Sequence, residues 1–146
     1  ADLLNLGHAG AILLNADSPT LPLAILRAAV DAVRSTDAVV LSPAIDGGYT
    51  LIGLAKAHAR VFADIPWSTA AVHRLTIERA GEIGRPVIEV PGWYDVDDAR
   101  TLRLLESELD GAPLSFAAPG LTGADAPATR QFLARRNAPL RVGSMR

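Results

Sequence analysis

The run AILLN (Ala11 to Asn15), followed by ADSPTLP (Ala16 to Pro22), decides how this chain folds. A short continuous apolar run that follows Gly10 and ends in a polar, proline-containing loop has the pattern of a strand buried on both faces, as in parallel sheets. Pro22 to Ser35 then reads as a helix whose stripe is Leu26, Val30 and Val33, with Ala29 beside them. Pro22 suits the first turn, where its missing N–H is not needed. Working outward, AVVL (Ala38 to Leu41) and YTLIGL (Tyr49 to Leu54) are further strands. PVIEV (Pro86 to Val90) is a fourth, at an edge if Pro86 lies inside it. Ser68 to Ile83 reads as a helix with Ser68 or Thr69 as N-cap and Gly84 as its stop. Ala99 to Leu109 is another, capped by Asp98 and buried along Leu102, Leu105 and Leu109. Strands alternating with helices predict an α/β, Rossmann-like, mainly parallel sheet with flanking helices. Residues 1–110 form that domain, and residues 111–146 read as a Gly/Ala/Pro/Thr-rich linker, a short helix from Ala128 to Arg136 and a loose tail.

Composition narrows the function. The chain has 146 residues, 49% of them hydrophobic, which suits one domain with a sizeable core. Aromatics are only 5%, so aliphatic side chains must do most of the packing. A formal net charge of -2 argues against a nucleic-acid or membrane-surface binder, which would need a basic excess. Cysteine is absent, which removes thiolate metal sites and cysteine nucleophiles and fits a cytoplasmic location. No apolar run reaches the roughly 20 residues needed to span a bilayer. The chain lacks an initiator Met and begins inside an apparent helix, Ala1 to Leu6, so it reads as N-terminally truncated.

Four motifs carry candidate chemistry. Asp17 leaves a buried strand into a loop stiffened by Pro19 and Pro22, where it can bind a hard divalent cation or cap the following turn. In Asp95-Val96-Asp97-Asp98, residues two apart in extended chain point the same way, so Asp95 and Asp97 can face one metal while Asp98 caps a helix. The plainer reading is that acidic residues gather at helix N-termini to complement the dipole, which explains Asp95 least well. Asp46-Gly47-Gly48-Tyr49 is a common turn or a close-approach loop. Trp67, in Pro66-Trp67-Ser68-Thr69, is either a stacking platform or core filler. Asp17, Asp46 and Asp95 each follow a strand, where ligands of open α/β sheets bind. The sole lysine is Lys56, so any phosphate site would rely on Arg, backbone N–H groups and metal.

The strings LLNADSPTLP (Leu13 to Pro22), VVLSPAIDGGYTLIGL (Val39 to Leu54), IPWST (Ile65 to Thr69) and WYDVDD (Trp93 to Asp98) occur in this order. Together they resemble a family of uncharacterised bacterial glycosyltransferases of the GT-A, nucleotide-diphospho-sugar transferase fold, some of them associated with arsenosugar biosynthesis. The resemblance covers about residues 7–109. It implies a metal site at Asp17, Asp95 and Asp97 holding Mg²⁺ or Mn²⁺, with Asp46 orienting or deprotonating the acceptor hydroxyl. Gly47, Gly48, Tyr49, Trp67, Ser68 and Thr69 then become acceptor-side contacts. The Thr-Pro-Glu helix start of related nucleotidyltransferases is here Asp98-Ala99-Arg100, which keeps the cap and loses the proline. The family's initial strand and its Lys/Arg-bearing nucleotide loop have no counterpart, so the fragment is expected to bind nucleotide poorly and to self-associate through an uncovered sheet edge as a homo-oligomer.

The resulting expectation is metal-dependent glycosyl transfer from a nucleotide-sugar donor to a small-molecule acceptor, with no nucleic-acid partner. A nucleotidyltransferase of the same fold is the alternative enzyme, and a non-catalytic interaction module the alternative of another class.

Overall fold

A computed structural model describes residues 2–136. The expected loose tail, from Asn137 onward, lies outside the described residues. After a single helical turn, α1 (Asp2–Asn5), the order is β1 (Ala11–Leu14), α2 (Leu23–Ser35), β2 (Val39–Pro43), β3 (Tyr49–Leu54), a 3-10 turn (Ala59–Phe62), α3 (Val72–Glu82), β4 (Val87–Glu89), α4 (Ala99–Leu109) and α5 (Pro127–Arg136).

The four strands form one sheet in the order β1-β3-β2-β4. β3 is antiparallel to both β1 and β2, while β4 is parallel to β2. β1, β2 and β4 therefore run in one direction and β3 runs against them. The mainly parallel sheet expected from the alternation holds for strand direction, but only the β2–β4 pair is a parallel ladder. The reversal follows from the short connection between β2 and β3, since a parallel neighbour needs a crossover of a dozen or more residues.

Side chains alternate across the sheet with period two. Val40 and Leu51 face α2, α4 and α5, where they join Ile25, Ala29, Val33, Trp93, Tyr94, Leu105 and Leu133. Val39, Leu41, Ile52 and Leu54 face the other side with Val61 and Ala80. Helices thus cover both faces. The buried stripe of α2 is Ile25, Ala29 and Val33, one position round from the expected Leu26–Val30 stripe. Gly53 lets α2 approach closely, because a Cβ there would lie 2.7 Å from Val33 Cγ2.

Two elements depart from expectation. β1 is an edge strand within the described residues, not a strand buried on both faces, and Leu13 and Leu14 are 57% and 47% exposed. Apolar runs mark strands that need cover, without identifying what covers them. The third helix begins at Val72, four residues after Ser68, and neither Ser68 nor Thr69 is its N-cap. Ser68 takes a left-handed φ of 61° and Thr69 bonds Pro66 O, so residues 68–71 form a turn instead. Its buried side is Val72, Thr76 and Ala80. Gly84 does stop it, at φ 65°, with Arg85 N bonded back to Ala80 O.

α4 starts where expected. Asp98 Oδ1 accepts from Arg100 N and Thr101 N, both at 2.8 Å, and Thr101 Oγ1 accepts in return from Asp98 N at 3.2 Å. This reciprocal box satisfies two otherwise orphaned sets of backbone groups. The stretch before α5 lies against the core: Leu114, Ala117 and Leu121 pack there, and Phe116 meets the rings of Trp93 and Tyr94 edge-on at 5.9 Å.

Candidate active site on the rim of the sheet

Because β1, β2 and β4 share a direction, the loops that leave them open on the same rim. Asp17 follows β1, Asp46 follows β2, and Asp95 and Asp97 follow β4. After β4 the chain stays with β2, through Val90 N to Leu41 O and Trp93 N to Pro43 O. It then crosses the top of the sheet, where Val96 N bonds Asp17 O at 2.9 Å. Gly92 permits the close run past β2, since a Cβ there would lie 2.7 Å from Pro43 O.

The crossing brings Asp46, Asp95 and Asp97 together, with a carboxylate oxygen of each within 4.8 Å of the others. Asp46 and Asp97 are exposed, whereas Asp95 is buried. Burial raises the Asp95 carboxyl above its ordinary pKa, and the charges of Asp46, Asp97 and Asp17 push it further the same way. Asp17 is exposed and stands outside the group of three, yet near enough for its charge to reach Asp95. An arrangement of like charges around a buried carboxylate favours a bound cation or a proton. An all-carboxylate oxygen set suits a hard divalent ion.

The remaining sequence-predicted residues gather beside Asp46. Its Oδ1 accepts from Gly48 N at 2.8 Å, which folds the loop back on itself. Gly47 has φ 95°, and a Cβ on it would lie 2.4 Å from Ala70 O. Only glycine meets both conditions. His73 N bonds Gly47 O at 2.9 Å, so the turn that carries Trp67, Ser68 and Thr69 is fastened to the Asp46 loop. Trp67 is 52% exposed and is not core filler. Tyr49 is half-buried, and desolvation raises its hydroxyl pKa. Its carbonyl accepts from Asn15 Nδ2 at 3.2 Å, tying β3 to the start of the Asp17 loop.

Sequence reading missed a partly buried polar knot that links the Asp17 loop to the approach to Asp95. Thr20 Oγ1 donates to Glu108 Oε2 at 2.8 Å and accepts from Trp93 Nε1 at 3.1 Å. Tyr94 Oη donates to the same Glu108 oxygen at 2.5 Å. Thr20 and Glu108 are 88 positions apart, and neither belongs to a motif whose spacing would pair them.

Comparison with known proteins agrees with this topology. Residues 1–69 match the sequence profile of a family described as "Uncharacterized protein conserved in bacteria (DUF2064)". No curated protein matches the chain. A crystal structure from Desulfovibrio desulfuricans G20, described as a "putative nucleotide-diphospho-sugar transferase", superposes with a TM-score of 0.70 at 25% identity. The match covers 92% of this chain and 57% of that one. The fold is thus of the nucleotide-diphospho-sugar transferase type, and the present chain spans little more than half the length of that relative. No described helix is long and apolar enough to cross a membrane.

Proposed function

We propose that this chain carries the metal-binding and acceptor-side part of a glycosyltransferase that uses a nucleotide-sugar. The observation that carries the reading is the convergence of three carboxylates, from two loops distant in sequence, within 4.8 Å on the rim of a transferase-type fold, where open α/β sheets bind ligands. Asp46, Asp95 and Asp97 would hold a divalent cation, Mg²⁺ or Mn²⁺, and Asp17 adds a fourth carboxylate to the rim. Such a cation, when bound, supplies charge neutralisation for a diphosphate leaving group.

This differs in two respects from the assignment the family resemblance implies: Asp46 takes a place among the cation-holding groups, and Asp17 stands beside them rather than among them. Asp46 also lies on the loop that abuts the Trp67 turn, which presents an exposed aromatic face for an acceptor ring. In the transfer, the acceptor oxygen bonds to the anomeric carbon and the bond from that carbon to the diphosphate oxygen breaks. The electron pair stays on the diphosphate. The hydroxyl proton passes to a rim carboxylate, Asp46 being the one whose loop meets the acceptor side.

Calorimetric titration with Mn²⁺ tests the site directly, because all the proposed ligands lie in this chain. We expect one bound ion, lost in Asp95→Asn and in Asp97→Asn. Unchanged binding in both variants removes these residues from the site. Product analysis of the enzyme with donor separates the chemistries: a nucleoside diphosphate marks glycosyl transfer, whereas pyrophosphate released from a triphosphate marks nucleotidyl transfer.

A further inference from the structure

The Thr20–Trp93–Tyr94–Glu108 knot has more connections than packing alone requires. Thr20 is 1% exposed and lies three residues after Asp17. Trp93 and Tyr94 are both 0% exposed and immediately precede Asp95. Glu108 sits in the last turn of α4, whose first turn begins just after Asp97 and Asp98. One hydroxyl and one carboxylate therefore join the loop of Asp17, the approach to Asp95 and the far end of the helix that follows Asp97. The Thr20 and Tyr94 hydroxyls, the Trp93 indole N–H and Glu108 Oε2 are all hydrogen-bonded to one another, so the geometry at these four groups is specified closely. Thr20 O also accepts from Ala124 N at 2.9 Å, and a Cβ on Gly123 would lie 3.1 Å from Thr20 Cβ. The 111–124 stretch thus closes over the knot.

We propose that Thr20 is a positioning residue: through Trp93, Tyr94 and Glu108 it sets the spacing of the acidic rim, so that cation affinity depends on a hydroxyl that never touches the ion. The inference rests on the cation reading given above. Groups that orient metal ligands from behind typically contribute about 10- to 100-fold in affinity, and Thr20 acts through two loops at once.

The test is Mn²⁺ titration at 25 °C of the wild-type chain, Thr20→Val, Thr20→Ser and Glu108→Ala, with circular dichroism melts of each. Thr20→Val keeps the shape and removes the hydroxyl, and should weaken Mn²⁺ binding about tenfold. Thr20→Ser restores the hydroxyl and should bind like wild type. Glu108→Ala removes the shared acceptor from a partly exposed helix position, and it carries the comparison if Thr20→Val does not fold. A purely structural role would lower the melting temperature of these variants and leave the affinity of the folded protein unchanged, and that result overturns the inference. A wild-type chain that takes up no Mn²⁺ overturns the cation reading and this inference with it. Wild-type binding matched by the folded variants overturns this inference alone.

Discussion

Replacing Asp95 by asparagine should have opposite effects on the metal-free protein and on its response to metal. Asp95 is 6% exposed and shares a 4.8 Å cluster with two other carboxylates. At 4.8 Å, two unit charges repel by about 1 kcal/mol in a water-like dielectric and by about 3.5 kcal/mol at an effective dielectric near 20. Asp46 and Asp97 are exposed, which places the interaction toward the lower figure. Asparagine keeps the shape and removes the charge, so the metal-free variant should gain about 1–2 kcal/mol, seen as a rise of about 3–6 °C in melting temperature. Mn²⁺ at 100 times its dissociation constant should stabilise wild type by about 2.7 kcal/mol, because it binds only the folded state. The variant should show little of that gain. Differential scanning calorimetry with and without Mn²⁺ measures both. A lower metal-free melting temperature for Asp95→Asn would mean that its charge is needed by the fold. Equal Mn²⁺ shifts in the two proteins would mean that the ion binds elsewhere. Either result refutes the reasoning.

Gly47→Ala should destabilise the chain by about 1–2 kcal/mol from the left-handed backbone alone, with more from the 2.4 Å approach to Ala70 O, and chemical denaturation would measure it. Asp98→Ala should cost about 1 kcal/mol by the same assay, through loss of the α4 cap. Asp37, hydrogen-bonded to His58 and also facing Lys56, has its pKa lowered by these partners, with the His58 bond the largest cause. A carboxyl depressed in the folded state stabilises above its unfolded pKa, and that stabilisation disappears as pH falls through the folded pKa. Asp37→Asn should therefore flatten the acid limb of a melting-temperature profile below about pH 4.

Much of the fold was legible because local signals agreed with global ones. β3 occupies the six residues expected, and α4 begins at the cap its sequence advertises. Gly84 ends α3 because a left-handed stop strongly favours glycine. The errors fall where tertiary context decides. Which face of α2 is buried depends on how closely Gly53 lets it approach the sheet, and periodicity alone leaves neighbouring stripes equivalent. The start of α3 was misplaced because Ser68 and Thr69 look like caps, while the packing of Ala70 against Gly47 demands a turn there.

The candidate site was legible as a set of acidic loops but not as the grouping the structure shows, and strand order explains why. Neighbouring strands lie about 4.8 Å apart. β2 and β4 are neighbours, so the loops that leave them begin side by side, and Asp46 meets Asp95 and Asp97. β3 stands between β1 and β2, which sets Asp17 two strands from the Asp46 loop. No motif reports that order, because it depends on β3 returning antiparallel through the middle of the sheet. Only the crossing at Val96, bonded to Asp17 O, brings the rim back toward β1. The separation of Asp17 from the other three is therefore a consequence of topology, and Thr20, three residues after Asp17 and bonded to Trp93 Nε1, ties the same two loops together a second time.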